Sequence, residues 1–100
     1  MRKIVLICAY GMSTSLLVNR MREAADKQNY ECDINAYGLS QAAIVGKDAD
    51  IVLIGPQVRF QLKAVQDQLP DIIVEAMDMK DYGTMNGEKI ITDVKNKLGD

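Results

Sequence analysis

Histidine is absent from this chain of 100 residues. Imidazole is the usual general base beside a nucleophilic cysteine and the usual nitrogen ligand of zinc. Its absence excludes a cysteine–histidine catalytic pair and most zinc sites. Any histidine chemistry in which this chain takes part must be supplied by another molecule.

Long apolar runs, cysteine pairs and aromatic side chains are also scarce. No run approaches the roughly 20 residues needed to cross a bilayer, so we expect no direct membrane insertion. The two cysteines, Cys8 and Cys32, lack a C-x-x-C spacing, and we expect both to be reduced in a cytoplasmic protein. With four Tyr, one Phe and no Trp, a surface for base stacking is not expected.

Basic residues are too few for a nucleic-acid partner. Lys and Arg number 12 against 14 Asp and Glu, a net charge of -2, whereas binding to a phosphate backbone needs a basic face. A chain of this length buries roughly 65% of its unfolded surface, enough for a core without metal or disulfides. We therefore expect residues 1–100 to form one domain and, because no exposed apolar stripe is evident, a monomer.

Four segments predict β-strands. Residues 4–8 and Ile51–Ile54 are continuous apolar runs, typical of parallel strands buried on both faces. Residues 31–36 alternate polar with apolar, and residues 72–77 contain Glu75, so both suit sheet edges. Right-handed crossovers then give the strand order 2-1-3-4. We predict an α/β fold: a three-layer sandwich with a four-stranded parallel sheet and helices on both faces.

The connecting segments show helical spacing of their apolar residues. We predict helices over residues 15–28, over residues 40–46 with Ser40 as N-cap, after Pro56 in a first turn, and over residues 86–98. Their apolar stripes are expected to form the core.

Cys8 ends the first predicted strand and opens a loop rich in glycine and hydroxyl side chains, Ala-Tyr-Gly-Met-Ser-Thr-Ser. A strand, a tight loop and a helix start direct backbone N–H groups toward one point, which is the usual way to hold an anion. The same groups favour thiolate, so we expect the Cys8 pKa to lie below its ordinary value and its sulfur to be reachable. Cys8 is a candidate nucleophile beside a candidate phosphate site.

Other segments leave the same edge of the predicted sheet. In open parallel sheets, ligands bind at the carboxyl ends of the strands where the strand order reverses, here between the first and third strands. The Cys8 loop begins there, and residues 55–59 and 78–83 follow neighbouring strands. Arg59 is either a phosphate ligand or a solvated surface side chain, and Asp78 or Asp81 is a possible neighbour of the Cys8 loop.

These residues resemble the enzyme IIB components of the bacterial phosphoenolpyruvate-dependent sugar phosphotransferase system, lactose/cellobiose class. The resemblance rests on residues 8–17 (CAYGMSTSLL), residues 50–57 (DIVLIGPQ) and the closing Tyr82-Gly83, and it spans essentially the whole chain. Tyr10 departs from the small residue expected at its position, which leaves its role open.

The resemblance implies that Cys8 is transiently phosphorylated, as a carrier that needs no metal or cofactor. Cys8 then takes a phosphoryl group from a phosphohistidine on the partner enzyme IIA. It donates that group to a sugar, a cellobiose-, chitobiose- or lactose-like β-glycoside, held by the membrane-embedded enzyme IIC. The residues expected to bind the phosphoryl oxygens are Ala9, Tyr10, Gly11, Met12, Ser13, Thr14 and Ser15.

Two alternative functions remain. A small cysteine-dependent phosphatase would share the loop and the phosphocysteine, but it pairs its cysteine with an arginine six positions later, where this chain has Thr14. Asp78 or Asp81 would then have to protonate the leaving group. The third possibility is a noncatalytic regulatory domain that binds an anion or a partner through the same loop.

Overall fold

The computed structural model describes residues 1–8 and 11–100, with side chains described for residues 1–8 and 14–100. Four parallel strands form one sheet of order β2-β1-β3-β4. They are β1 (Arg2–Ile7), β2 (Cys32–Tyr37), β3 (Ile51–Ile54) and β4 (Ile73–Ala76). The predicted order and parallel pairing are confirmed, and each predicted strand end lies within about two residues of the observed one, the usual uncertainty of such boundaries.

Helices and short 3-10 turns connect the strands. The helices are α1 (Gly11–Lys27), α2 (Ala42–Val45), α3 (Leu62–Gln68), α4 (Met79–Gly83) and α5 (Gly87–Leu98). The 3-10 turns are Leu39–Gln41, Gly46–Asp48 and Pro56–Gln61. Pro56 begins its turn as predicted, because its fixed φ suits a first turn and its missing N–H is not needed there.

Three local predictions differ from the structure. Helix α1 begins at Gly11, four residues before the predicted Ser15, so the hydroxyl-bearing residues lie inside its first turns instead of preceding them. Ser40 lies within a 3-10 turn and caps no helix, since neither that turn nor α2 has a side-chain N-cap. Helix α4 was not predicted, because five residues are too few to display a helical period.

The sheet separates two hydrophobic clusters. Successive side chains of a strand point to opposite faces, so Ile4 and Leu6 of β1 pack against α1 and α5, whereas Val5 and Ile7 pack against α2 and α3. Strands β1 and β3 are buried on both faces, which explains their continuous apolar sequence. The predicted three-layer sandwich is confirmed.

At the amino edge of the sheet, the last residue closes onto the first strand. Gly99 adopts a left-handed φ of 76°, which ends α5 and turns Asp100 toward β1. The Arg2 guanidinium then makes two hydrogen bonds to the Asp100 carboxylate, at 2.9 and 2.8 Å, and the Tyr30 hydroxyl donates a third. These donors, Arg2 first, lower the pKa of Asp100 to about 2.

We expect this contact to weaken in acid. Because the pKa of Asp100 is depressed in the folded state, the ionised carboxylate stabilises the fold above its ordinary pKa of 3.8, and that stability is lost as the pH falls toward about 2. Urea unfolding should show wild type to be more stable than Asp100→Asn near neutral pH, with the difference shrinking below about pH 4. A difference that stays constant down to about pH 2 would contradict the assignment; exposed Asp71→Asn is the control.

Candidate functional site

Backbone hydrogen bonds hold Cys8 at the carboxyl edge of the sheet. The Cys8 N–H donates to the carbonyl of Tyr37 at 3.1 Å, which continues the ladder between β1 and β2. On the other side, the Gly55 N–H donates to the carbonyl of Ile7 at 2.8 Å and joins the end of β3 to the end of β1. Cys8 therefore lies where the strand order reverses, as the sequence predicted.

Three elements contribute one polar group each to the surroundings of the Cys8 sulfur. The groups are the Thr14 hydroxyl from α1, the backbone N–H of Gly55 after β3, and the Tyr82 hydroxyl from α4, and each lowers the pKa of the Cys8 thiol by hydrogen bonding. Thr14 is only 2% exposed, and its Oγ1 lies 3.4 Å from the Tyr82 hydroxyl oxygen. The Gly55 N–H is shared with the Ile7 carbonyl, so the two hydroxyls are the side-chain polar groups of this surrounding.

Gly55 leaves the space in which the Cys8 sulfur lies. A Cβ on Gly55 would stand 2.9 Å from Cys8 Sγ and 2.9 Å from Gln57 Oε1, closer than such atoms approach without displacement. Gly55 has φ -65° and ψ 151°, which any residue can adopt. Glycine is therefore needed here for its missing side chain and not for its conformational freedom.

The prediction of an accessible sulfur with a lowered pKa is wrong. Cys8 is 3% exposed and packs in the cluster between the sheet, α1 and α5. This burial raises the pKa of the thiol above its ordinary value, and the opposing hydrogen bonds from Thr14, Gly55 and Tyr82 do not compensate for it. The loop donors predict a lowered pKa, but the sequence does not show how far the surrounding elements remove the sulfur from water.

The predicted phosphate-binding residues are only partly within the described structure. Ala9 and Tyr10 lie outside the described residues, as do the side chains of Met12 and Ser13. The backbone of residues 11–13 forms the start of α1. Thr14 is brought to the sulfur, whereas Ser15 has an exposed position on α1.

The charged candidates have other contacts. Asp78 is the N-cap of α4 and accepts hydrogen bonds from the N–H groups of Lys80 and Asp81, at 2.8 and 3.1 Å. The Asp81 carboxylate lies 3.5 Å from Lys89 Nζ on α5. Arg59 is exposed in the turn after β3. Asp78 and Asp81 thus stabilise α4 and its contact with α5, and the Arg59 position is that of a solvated surface side chain.

Tyr82 lies beside Cys8 in the candidate site, and the sequence does not single it out as a candidate. The sequence predicts residues 78–83 only as a segment at this edge of the sheet, and Tyr82 enters as part of the family resemblance. That resemblance was the available signal, because the helix that carries the hydroxyl to Cys8 is too short to be predicted from periodicity.

The described chain offers no obvious metal site or membrane span. Across residues 1–8 and 11–100, no three His, Cys, Asp or Glu side chains are grouped so that they could hold a metal ion. Within the same ranges, every helix is too short or too polar to cross a bilayer.

A family model described as "PTS system, Lactose/Cellobiose specific IIB subunit" matches residues 3–93. This chain belongs to the lactose/cellobiose-specific IIB family. The resemblance noted from residues 8–17 and 50–57 is confirmed, and members of this family are components of the sugar phosphotransferase system.

Relatives and a solved structure agree over nearly the whole chain. The oligo-beta-mannoside-specific EIIB component of Bacillus subtilis (strain 168) is 46% identical over 92 residues, covering 89% of this chain and 88% of the relative. The galactose-specific EIIB component of Lactococcus lactis subsp. cremoris is 34% identical over 102 residues, covering 95% and 94%. The solution structure of a cellobiose-specific IIB component from Borrelia burgdorferi superposes with a TM-score of 0.80 at 37% identity, covering 98% and 92%.

We expect Gly55→Ala to lower the free energy of unfolding by about 1–3 kcal/mol, because the added methyl must displace the Cys8 sulfur or the Gln57 amide. Chemical denaturation measures the loss. Gly38→Ala is the matched control, since a Cβ there meets nothing within 4 Å.

A double-mutant cycle identifies which atom the methyl crowds. If the sulfur is the obstacle, Gly55→Ala should cost less in a Cys8→Ala background than in wild type. Equal costs in both backgrounds would show that Gly55 does not make room for the thiol.

Proposed function

We propose that this protein is the cytoplasmic phosphoryl carrier of a sugar phosphotransferase system, acting as one IIB domain over residues 1–100 and as a monomer. Cys8 accepts a phosphoryl group from a phosphohistidine on enzyme IIA and donates it to a sugar bound by the membrane enzyme IIC. The observation that carries the proposal is the Cys8 thiol at the point where the strand order reverses, with the hydroxyls of Thr14 and Tyr82 among the groups that lower its pKa, in a chain of this family.

The reacting group that this chain contributes is the Cys8 thiol. In the first transfer, the Cys8 sulfur forms a bond to phosphorus, and the N–P bond breaks with its electron pair moving to the imidazole nitrogen. The imidazole takes up the proton that the thiol loses. In the second, a sugar hydroxyl oxygen forms a bond to phosphorus, the S–P bond breaks with its electron pair on the Cys8 sulfur, and the proton of the hydroxyl is taken up by that thiolate, which restores the thiol. Both partner groups lie on other molecules, which is consistent with the absence of histidine here.

We further propose that residues 9–15 hold the phosphoryl oxygens. Residues 11–13 form the start of α1, where the helix dipole favours an anion. Ala9, Tyr10, and the side chains of Met12 and Ser13 enter this proposal from the family resemblance alone, whereas Gly11 enters it also as the first residue of α1. Thr14 enters it from its contact with Cys8 as well.

Burial of the sulfur fits a carrier that reacts only with its partners. A thiol that is 3% exposed, with its pKa raised by burial, is protected from oxidation, because oxidants attack exposed thiolates. Docking of enzyme IIA must therefore uncover the sulfur before transfer.

The arrangement is less suited to a phosphatase. Thr14, at the position where a phosphatase carries arginine, is neutral and directed at the sulfur. Asp78 and Asp81 bind the start of α4 and Lys89, so neither is placed as an acid for a leaving group.

The sugar we propose is a β-linked glycoside of the cellobiose, chitobiose or lactose kind. The oligo-beta-mannoside and cellobiose specificities in the names of similar proteins support it.

The test is to incubate the protein with phosphorylated enzyme IIA and to locate any phosphoryl group by peptide mass spectrometry. We expect one group on Cys8, none in Cys8→Ser, and normal transfer to Cys32→Ser, which is the matched control for loss of a thiol. An artificial phosphate ester should be turned over slowly. Brisk ester turnover would indicate a phosphatase. The absence of both transfer and ester turnover would indicate a regulatory domain.

A further inference from the structure

We infer that Tyr82 is a positioning residue for the transfer, whose hydroxyl acts together with that of Thr14 to hold the Cys8 sulfur as a thiolate. The role in transfer rests on the proposed function. The hydrogen-bonded cluster itself does not, because it is a property of the folded chain.

The side chains of Cys8, Thr14 and Tyr82 lie in one cluster. Tyr82 packs on the hydrophobic cluster that contains Cys8, and its hydroxyl lies 3.4 Å from that of Thr14. Both hydroxyls lower the pKa of the Cys8 thiol by hydrogen bonding. A phenol in this place shields the sulfur from water with its ring and offers a donor with its hydroxyl.

Hydrogen bonds at both ends of α4 fix the position of Tyr82. At its start, the Asp78 carboxylate caps the helix, and the Tyr82 N–H donates to the Asp78 carbonyl at 2.9 Å. At its end, the Met85 N–H donates to the Tyr82 carbonyl at 3.1 Å. The contact of Asp81 with Lys89 ties α4 to α5. The hydroxyl is therefore positioned before any phosphoryl group arrives, which reduces the reorganisation needed during transfer.

The chemical need for such a donor follows from burial. A thiolate inside the protein loses its hydration, and hydrogen bonds to the anion are what offset this loss. The Cys8 sulfur is an anion when it attacks phosphorus and again when it leaves phosphorus for the sugar. Tyr82 donates a hydrogen bond at both stages and gives up no proton, so the electron and proton balance of each transfer is unchanged.

The first test measures the Cys8 thiol directly, without any phosphoryl donor. In protein labelled with ¹³C at cysteine Cβ, the carbon shift against pH reports the ionisation of each thiol. We expect Tyr82→Phe to raise the Cys8 pKa by about one to two units, since one hydrogen bond to the anion is lost. Tyr37→Phe is the matched control, because Tyr37 packs on the opposite face of the sheet.

Thr14→Val completes the measurement. Because the two hydroxyls contact each other, the double variant should raise the Cys8 pKa by less than the sum of the two single changes. An unchanged pKa in a folded Tyr82→Phe protein, or fully additive shifts, would overturn the inference. Thr14→Val alone still tests the cluster if Tyr82→Phe does not fold.

The second test uses phosphorylated enzyme IIA. If Cys8 is the carrier, Tyr82→Phe should slow transfer at neutral pH by about tenfold and move its pH profile upward with the Cys8 pKa. A slower transfer with an unmoved pH profile would reduce Tyr82 to a structural role. No transfer in wild type would refute the proposed function. The change in the Cys8 pKa in Tyr82→Phe would still show whether the two hydroxyls stabilise the thiolate.

Discussion

The site depends on the close approach of the ends of β1 and β3. The hydrogen bond from the Gly55 N–H to the Ile7 carbonyl, at 2.8 Å, brings the two strand ends together, and the missing side chain of Gly55 leaves room for the Cys8 sulfur between them. The parallel order β2-β1-β3-β4 makes this the point where the chain diverges to both faces. Thr14 and Tyr82 can meet the sulfur only because this approach fixes where it lies.

Burial and hydrogen bonding oppose each other at Cys8. Removal from water raises the pKa of the thiol, while Thr14, the Gly55 N–H and Tyr82 lower it, and burial is the larger effect. The free protein therefore keeps an unreactive thiol in a place prepared for a thiolate. This balance suits the proposed carrier role, in which the sulfur reacts with two partners and with nothing else between those encounters.

The sequence predicted features that depend on local pattern and missed those that depend on packing. Continuous apolar runs at β1 and β3 gave the strand order, because only strands buried on both faces need such sequences. The position of Cys8 followed from that order. Its burial and the approach of Tyr82 did not, because α4 has only five residues and its place is fixed by the Asp78 cap and the contact with α5.

The central claim is that the Cys8 sulfur carries the phosphoryl group covalently. Phosphorus NMR of the protein mixed with phosphorylated enzyme IIA tests it most directly, because a phosphorus bonded to sulfur resonates apart from phosphohistidine and inorganic phosphate. We expect a new thiophosphate signal that disappears when enzyme IIC and its sugar are added. Loss of the phosphohistidine signal to inorganic phosphate alone, with no such intermediate, would contradict it.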